Sequence, residues 1–278
     1  MHGTRVPERI VVVVSPGDRT AERCERVPGV EVIRCRQRLS AGAARNLGVR
    51  VAGDCGLLLF VDADCRLDGD CLAALLDAVT VRGCTAAAAA VRCEGRAASA
   101  RLRHLLEFKD AEGSGPAQPS WQVPSATLLC RKQGFAEAGG FPDLWPGEDL
   151  VFCRRLHSAG RIVRRVDDAR TYHVHPEGWC LLLRHQYRLG RTSALARRLV
   201  DLHGSWLVRY RWLAPLLVLA RAARGGVWVA RFHPRDLVWL FGVLPAYLVA
   251  LTVWTAGFAH GAREPFAAAR FLPRTPCP

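Results

Sequence analysis

Lysine is almost absent: Lys109 and Lys132 are the only two, so nearly all of the basic charge is arginine. Lys and Arg total 39 against 25 Asp and Glu, a formal charge of +14, yet no basic block of five or more occurs. The arginines stand as singles and doublets (Arg154-Arg155, Arg164-Arg165, Arg197-Arg198). That scatter argues against a nucleic-acid partner and for an anionic small substrate or a phospholipid surface. No CxxC pair occurs among the eleven cysteines, which are odd in number and widely spaced. Neither a zinc cluster nor a secreted disulfide framework is expected from them. Most lie in apolar stretches (Cys55, Cys65, Cys71, Cys153), where free cysteine acts as a small core residue, and a reducing compartment is expected. No signal-peptide pattern opens the sequence, because residues 2–9 are polar and the apolar run after them spans only five residues. Internal repeats are also lacking. Disorder is excluded for most of the chain, since 50% of its 278 residues are hydrophobic.

Up to about residue 168, short apolar runs alternate with helical segments, the pattern of an α/β domain with a mainly parallel sheet. Strands are expected at residues 10–14, 30–35, 56–61, 86–91 and 126–130, with short extended pieces at 162–166 and 171–174. Ser40 is a plausible cap for a helix over residues 41–52, whose Ala44, Leu47, Gly48 and Val51 share one face. Further helices are expected over 69–81 and 148–159, the latter closed by Gly160. Residues 113–124, rich in Gly, Ser, Pro and Gln, read as a loop across one face.

Beyond residue 178 the character turns helical, studded with Arg and Trp. Residues 205–223 mix Trp206, Trp212, Leu216 and Leu217 with Arg209 and Arg221, as an interfacial amphipathic helix would. Residues 237–259 carry no formal charge over 23 positions, about 34 Å as a helix and enough for one membrane span kinked at Pro245. A buried core helix would show the same composition. A single crossing that leaves the Arg-rich body inside agrees with the positive-inside tendency. The expected organisation is a globular domain over 1–200, a basic juxtamembrane segment over 201–235, a transmembrane helix over 236–262 and a tail over 263–278.

Three clusters carry chemistry. The apolar run ending at Val61 leads into Asp62-Ala63-Asp64, two hard oxygen donors at the carboxyl edge of a sheet, where Mg²⁺ or Mn²⁺ would share its sphere with phosphates. A solvated turn would look the same. Glu148-Asp149 follows Trp145-Pro146-Gly147 on the first turn of a helix. The helix dipole alone accommodates acids there, and a general base for an acceptor hydroxyl is the functional reading. His173 and His175 fall on one side of an extended segment and could ligate a metal or touch phosphate. Arg184, Arg188 and Arg191 share a helical face after them, suited to a diphosphate or to lipid.

The ordered series Ala43-Ala44-Arg45-Asn46-Leu47-Gly48, Asp62-Ala63-Asp64, Pro124-Ser125-Ala126, Gly139-Gly140-Phe141, Gly147-Glu148-Asp149 and Gln186-Tyr187-Arg188-Leu189-Gly190-Arg191 resembles family 2 glycosyltransferases. The resemblance implies a GT-A-like nucleotide-sugar-binding sheet flanked by helices, and inverting transfer from a nucleotide-diphosphate sugar. Carried over by position, it makes Asp149 the catalytic base supported by Glu148. Asp62, Asp64, His173 and His175 become candidate metal ligands, with Asp64 the direct one. Arg45, Asp62, Asp64, Gln186, Arg188 and Arg191 fall to the donor, the last three as a degenerate Gln-x-x-Arg-Trp motif with Leu189 where Trp would stand. A lipid-linked or amphiphilic acceptor and a cell-membrane location with a cytoplasmic catalytic domain complete the expectation.

One departure bears on activity. Members usually begin with a strand and a long helix before a second strand that ends in an acidic pair. Residues 10–14 align best with that second strand, with Val14-Ser15 where the pair would be and only Asp18 nearby. A non-catalytic, membrane-tethered nucleotide-sugar-binding or partner protein is therefore the alternative. A nucleotidyl- or phosphotransferase on a similar sheet is a third, set back by the scarcity of lysine.

Overall fold

The computed structural model of the chain describes residues 5–113 and 121–272. The first part is built from β1 (Ile10–Val14), α1 (Thr20–Cys24), β2 (Val30–Arg34), α2 (Ala41–Ala52) and β3 (Leu57–Val61). Next come β4 (Cys65–Leu67), α3 (Cys71–Thr80), β5 (Ala86–Cys93), α4 (Ala98–Glu107), β6 (Thr127–Arg131), α5 (Lys132–Glu137), α6 (Glu148–Ser158) and β7 (Val163–His173). Of the loop expected at 113–124, residues 114–120 lie outside the described residues.

The sheet is mixed, not mainly parallel. β1 and β2 pair in parallel as a unit of their own, and a five-stranded sheet runs β3-β6-β5-β7-β4. β6 is antiparallel to both β3 and β5, whereas β5 and β7 are parallel. β3, β5 and β7 therefore point the same way and deliver their carboxyl ends to one edge. The two extended pieces expected at 162–166 and 171–174 are one strand, β7, with a register shift opposite Ala89/Ala90.

β5 shows why the sheet takes helices on both faces. Its alanines are fully buried; Ala86 and Ala88 face a core with Phe141, Phe152 and Leu156, while Ala87 and Ala89 face α3 through Leu75 and Val79. Side chains alternate along a strand, and a residue as small as Ala lets both layers approach closely. Ser40 caps α2 as expected, its Oγ accepting from Ala43 N at 3.2 Å. The deeply buried face of α2 is Gly42, Ala43 and Asn46, not the expected Ala44-Leu47-Gly48-Val51. The reason is polar: Asn46 donates to the Phe141 carbonyl (2.8 Å) and accepts from Phe141 N (3.0 Å), which locks α2 onto the α5–α6 connection. Gly48 meets Val13 of β1 at 3.7 Å for an added Cβ, so the other face is covered as well.

The C-terminal part is a helical layer: α7 (Trp179–Leu199), α8 (Trp206–Arg209), α9 (Leu216–Phe232), α10 (Leu237–Gly242) and α11 (Leu244–Arg263). The amphipathic helix expected over 205–223 is broken before Leu216, where Pro215 sits at the cap position and cannot donate to a preceding turn. The uncharged 237–259 stretch is likewise two helices, interrupted at Val243 ahead of Pro245, with 80° between the Pro234–Gly242 and Leu244–Arg263 segments. No single described helix is long and apolar enough to cross a membrane, although the bent pair passes that test together. α11 lies directly on α7. An added Cβ would stand 1.9 Å from Trp254 O at Gly190, 2.1 Å from Tyr187 O at Gly257 and 2.2 Å from Arg191 O at Gly261. The two backbones touch, and only glycine permits that.

Candidate active site

The shared carboxyl edge of β3, β5 and β7 gathers residues far apart in sequence. β3 ends at Val61, and Asp62 follows in a tight turn: Asp62 N donates to Ala126 O at 2.9 Å and Cys65 N donates to Asp62 O at 3.0 Å. Asp64 leaves that turn with its side chain 47% exposed, and its carboxylate lies 3.4 Å from His173 Nε2 at the end of β7. Burial raises the Asp64 pKa, the Asp62 charge adds to the rise, and the His173 charge pulls it back.

Arg45 on α2 bridges the turn to the start of α6. It pairs with Asp62 and donates to Glu148 Oε1 at 2.6 Å. Burial works against the cation, but the two carboxylates outweigh it and hold the pKa of Arg45 above its ordinary value. Glu148 is buried, which pushes its pKa up to about 7 against the pull of Arg45. Gly147, at φ 102°, turns the chain into α6 with a backbone that side-chain-bearing residues avoid. Asp149 comes next, accepting from Ser125 N at 3.2 Å and Leu150 N at 2.7 Å. Burial raises its pKa too, and Arg45 and those amides counter the rise. A carboxylate with a raised pKa, oriented by backbone amides and only half-buried, is equipped to take a proton.

The expected metal set is divided. Asp64 and His173 face one another, whereas Asp62 is engaged by Arg45. His175 turns to His104 on α4, its Nε2 lying 3.2 Å from His104 Nδ1. Burial lowers the pKa of His104 to about 4 and of His175 to about 3, which keeps both rings neutral.

The expected donor-binding trio on α7 is divided as well. Gln186 is fully buried and donates to Glu107 Oε1 at 3.0 Å, and Arg191 is paired with Glu264. Both side chains hold the helical layer together. Arg188 alone is exposed toward the site, its guanidinium 6.0 Å from the ring centre of Trp145, just before the Glu148-Asp149 turn. Asp18, the acid near the end of β1, accepts from Thr20 N at 2.8 Å at the start of α1. Glu107 was not evident in the sequence. Burial alone would raise its pKa, but His185 and Arg103 hold it below its ordinary value. The spacing Arg103-His104-Glu107 was the available signal, with all three inside an unrecognised α4.

The family model described as Glycosyl transferase family 2 matches residues 5–131. No curated protein matches the chain. Among solved structures, the mannosyltransferase PcManGT from Pyrobaculum calidifontis, in complex with GDP-Man and Mn²⁺, is 17% identical at a TM-score of 0.57, over 90% of this chain and 79% of that one. TarS 1-349 from S. aureus with UDP-GlcNAc is 15% identical at a TM-score of 0.48, over 92% of this chain and 83% of that one. GalNAc-T7 with UDP, GalNAc and Mn²⁺ is 17% identical at a TM-score of 0.47, over 66% of this chain. The match spans 43% of the GalNAc-T7 chain. The fold is that of PcManGT, and residues 5–131, which hold Arg45 and the Asp62-Ala63-Asp64 turn, match the glycosyl transferase family 2 model.

Proposed function

We propose that this protein transfers a sugar from a nucleotide-diphosphate sugar to an acceptor hydroxyl, with inversion at the anomeric carbon. The observation that carries the reading is the convergence of Asp64, His173, Arg45 and the Glu148-Asp149 turn on one sheet edge. Asp149 takes the acceptor proton, and Arg45 keeps the neighbouring Glu148 in place. Arg188, exposed over Trp145, meets the diphosphate as a planar donor. Attack from the face opposite the leaving group accounts for inversion.

The residues fit a divalent cation. Asp64 and His173 offer one oxygen and one imidazole nitrogen at 3.4 Å, a donor set suited to Mn²⁺ and, through the carboxylate, to Mg²⁺. Such an ion supplies neutralisation of the charge that builds on the departing diphosphate. Support for a metal and a nucleotide sugar also comes from the shared fold with PcManGT.

The acceptor we propose is lipid-linked or amphiphilic, and the protein sits at the cell membrane with its catalytic part on the cytoplasmic side. Exposed Trp206, Trp212, Leu216, Leu219, Val238 and Phe241 beside exposed Arg209, Arg231 and Arg235 support contact with an anionic lipid surface. A second reading, a non-catalytic nucleotide-sugar-binding relative, is favoured by the engagement of Asp62 with Arg45.

Calorimetric titration of UDP and GDP into the purified chain, with and without Mn²⁺, tests the donor site. Metal-dependent binding that disappears in Asp64→Ala is expected. Absence of binding by either nucleotide to folded protein overturns both readings, and binding without turnover on any donor leaves the second.

A further inference from the structure

The pair His104–His175 is one side of a larger cluster. Cys93, at the carboxyl end of β5, places its sulfur so that one donor atom from each of Cys93, His104 and His175 lies within 4.8 Å of the other two. Three separate elements supply them: β5, α4 and the residues just past β7. Cys93 and His173 are register partners across β5 and β7, so His175 leaves the sheet beside the cysteine. We propose that Cys93, His104 and His175 form a second metal site, for a borderline-soft divalent cation of the zinc class, separate from the Asp64–His173 pair.

The geometry agrees with this. Nitrogens ~2.0 Å from a tetrahedral ion stand about 3.3 Å apart, and the facing His104 Nδ1 and His175 Nε2 are 3.2 Å apart. As a simple hydrogen bond the pair is poorly completed. His104 Nε2 and His175 Nδ1 are buried without a partner, so either arrangement of the shared proton strands a buried N–H. The donor chemistry also separates the two sites. Each cluster holds one sulfur, Cys93 or Cys65; beside Cys93 stand two imidazoles, which favour zinc-like ions, whereas beside Cys65 stand one imidazole and the Asp64 carboxylate, which admits harder ones. Phe108 closes the cluster, its ring centre 5.8 Å from that of His104 and 5.6 Å from that of His175.

The same ion would set the neighbouring site. His175 stacks on His173 with ring centres 4.4 Å apart, so anchoring His175 fixes the ring that faces Asp64. Cys93 contributes its thiolate on binding, releasing a proton and giving up the contact of its Sγ with Gly95 O at 3.5 Å.

The test is metal content by mass spectrometry after exhaustive dialysis against a weak chelator, with Co²⁺ substitution as the second readout. One zinc per chain is expected, retained in Asp64→Ala and lost in Cys93→Ala and in His104→Ala. The Co²⁺ form should show a thiolate-to-cobalt charge-transfer band in the near ultraviolet, and Cys65→Ala, which removes the sulfur of the Asp64–His173 cluster, should keep it. That readout does not depend on Cys93→Ala and so survives any folding defect in that variant. Zinc that stays in Cys93→Ala, zinc that leaves with Asp64→Ala, an unaltered chain without zinc, or a Co²⁺ form without the thiolate band would each overturn the proposal. The nucleotide titration with Mn²⁺ reads the Asp64–His173 pair and the zinc measurement reads Cys93, His104 and His175, so failure of one proposal is distinguishable from failure of the other.

Discussion

Arg45 and Glu148 are 103 residues apart in sequence and 2.6 Å apart in space, and the same guanidinium holds Asp62. This one side chain ties the turn after β3 to the first turn of α6. Removing a single partner from a buried ion pair strands the others.

Arg45→Met should therefore destabilise the fold by about 3 kcal/mol above neutral pH, where Glu148 is ionised. Arg45→Lys, which keeps the charge but cannot fork, should fall between the two. Urea unfolding of the three proteins checks the order; equal midpoints would show that the bridge contributes nothing.

Asp149→Asn should lower turnover by about 10²- to 10⁴-fold while nucleotide affinity stays within error. Glucosyl, mannosyl and N-acetylhexosaminyl donors measured under saturating acceptor supply the comparison. Equal loss of affinity would instead place Asp149 in donor binding.

The pH dependence has two parts. Burial raises Asp149, and the base must be ionised, so kcat/KM should climb with pH at values above the ordinary carboxylate range. Arg45 pulls that pKa down, so Arg45→Met should move the rise to still higher pH. Stability moves the other way. Glu148 keeps its proton up to about pH 7 when folded but loses it near 4.5 when unfolded. Its contribution is complete below 4.5 and is lost as pH rises to about 7. Thermal midpoints should fall over that window, and Glu148→Gln should flatten the slope.

Two glycines should respond oppositely to alanine. Gly257→Ala would press a methyl group onto the Tyr187 carbonyl and should cost about 2 kcal/mol, because backbone cannot rotate away. Gly226 in α9 has nothing within 4 Å of an added Cβ, so Gly226→Ala should stabilise by up to about 1 kcal/mol. Paired thermal melts decide it.

Much of this was readable from local pattern. The strands at Ile10–Val14 and Leu57–Val61, the Ser40 cap and the acid-bearing turn of α6 are set by residues within a few positions of one another. The mixed sheet was not readable, because the direction of β6 depends on the path between Cys93 and Thr127, which includes the unrecognised α4. α4 hides because Ala98–Glu107 alternates Arg with apolar residues, and its Leu102, Leu105 and Leu106 join a core completed by distant residues, Leu182 of α7, Val229 of α9, Leu240 of α10 and Leu251 of α11. The pairing of Cys93 with His104 and His175 was invisible for the same reason. Its three residues lie on three elements, so no spacing announces it.

The contact of α7 with α11 through Gly190, Gly257 and Gly261 leaves no cushion of side chains between them. Two rods joined backbone to backbone share one stiffness. Gly257 and Gly261 meet the Tyr187 and Arg191 carbonyls, so α11 bears on the backbone to either side of Arg188, and the reach of that guanidinium toward Trp145 is set by where α11 sits.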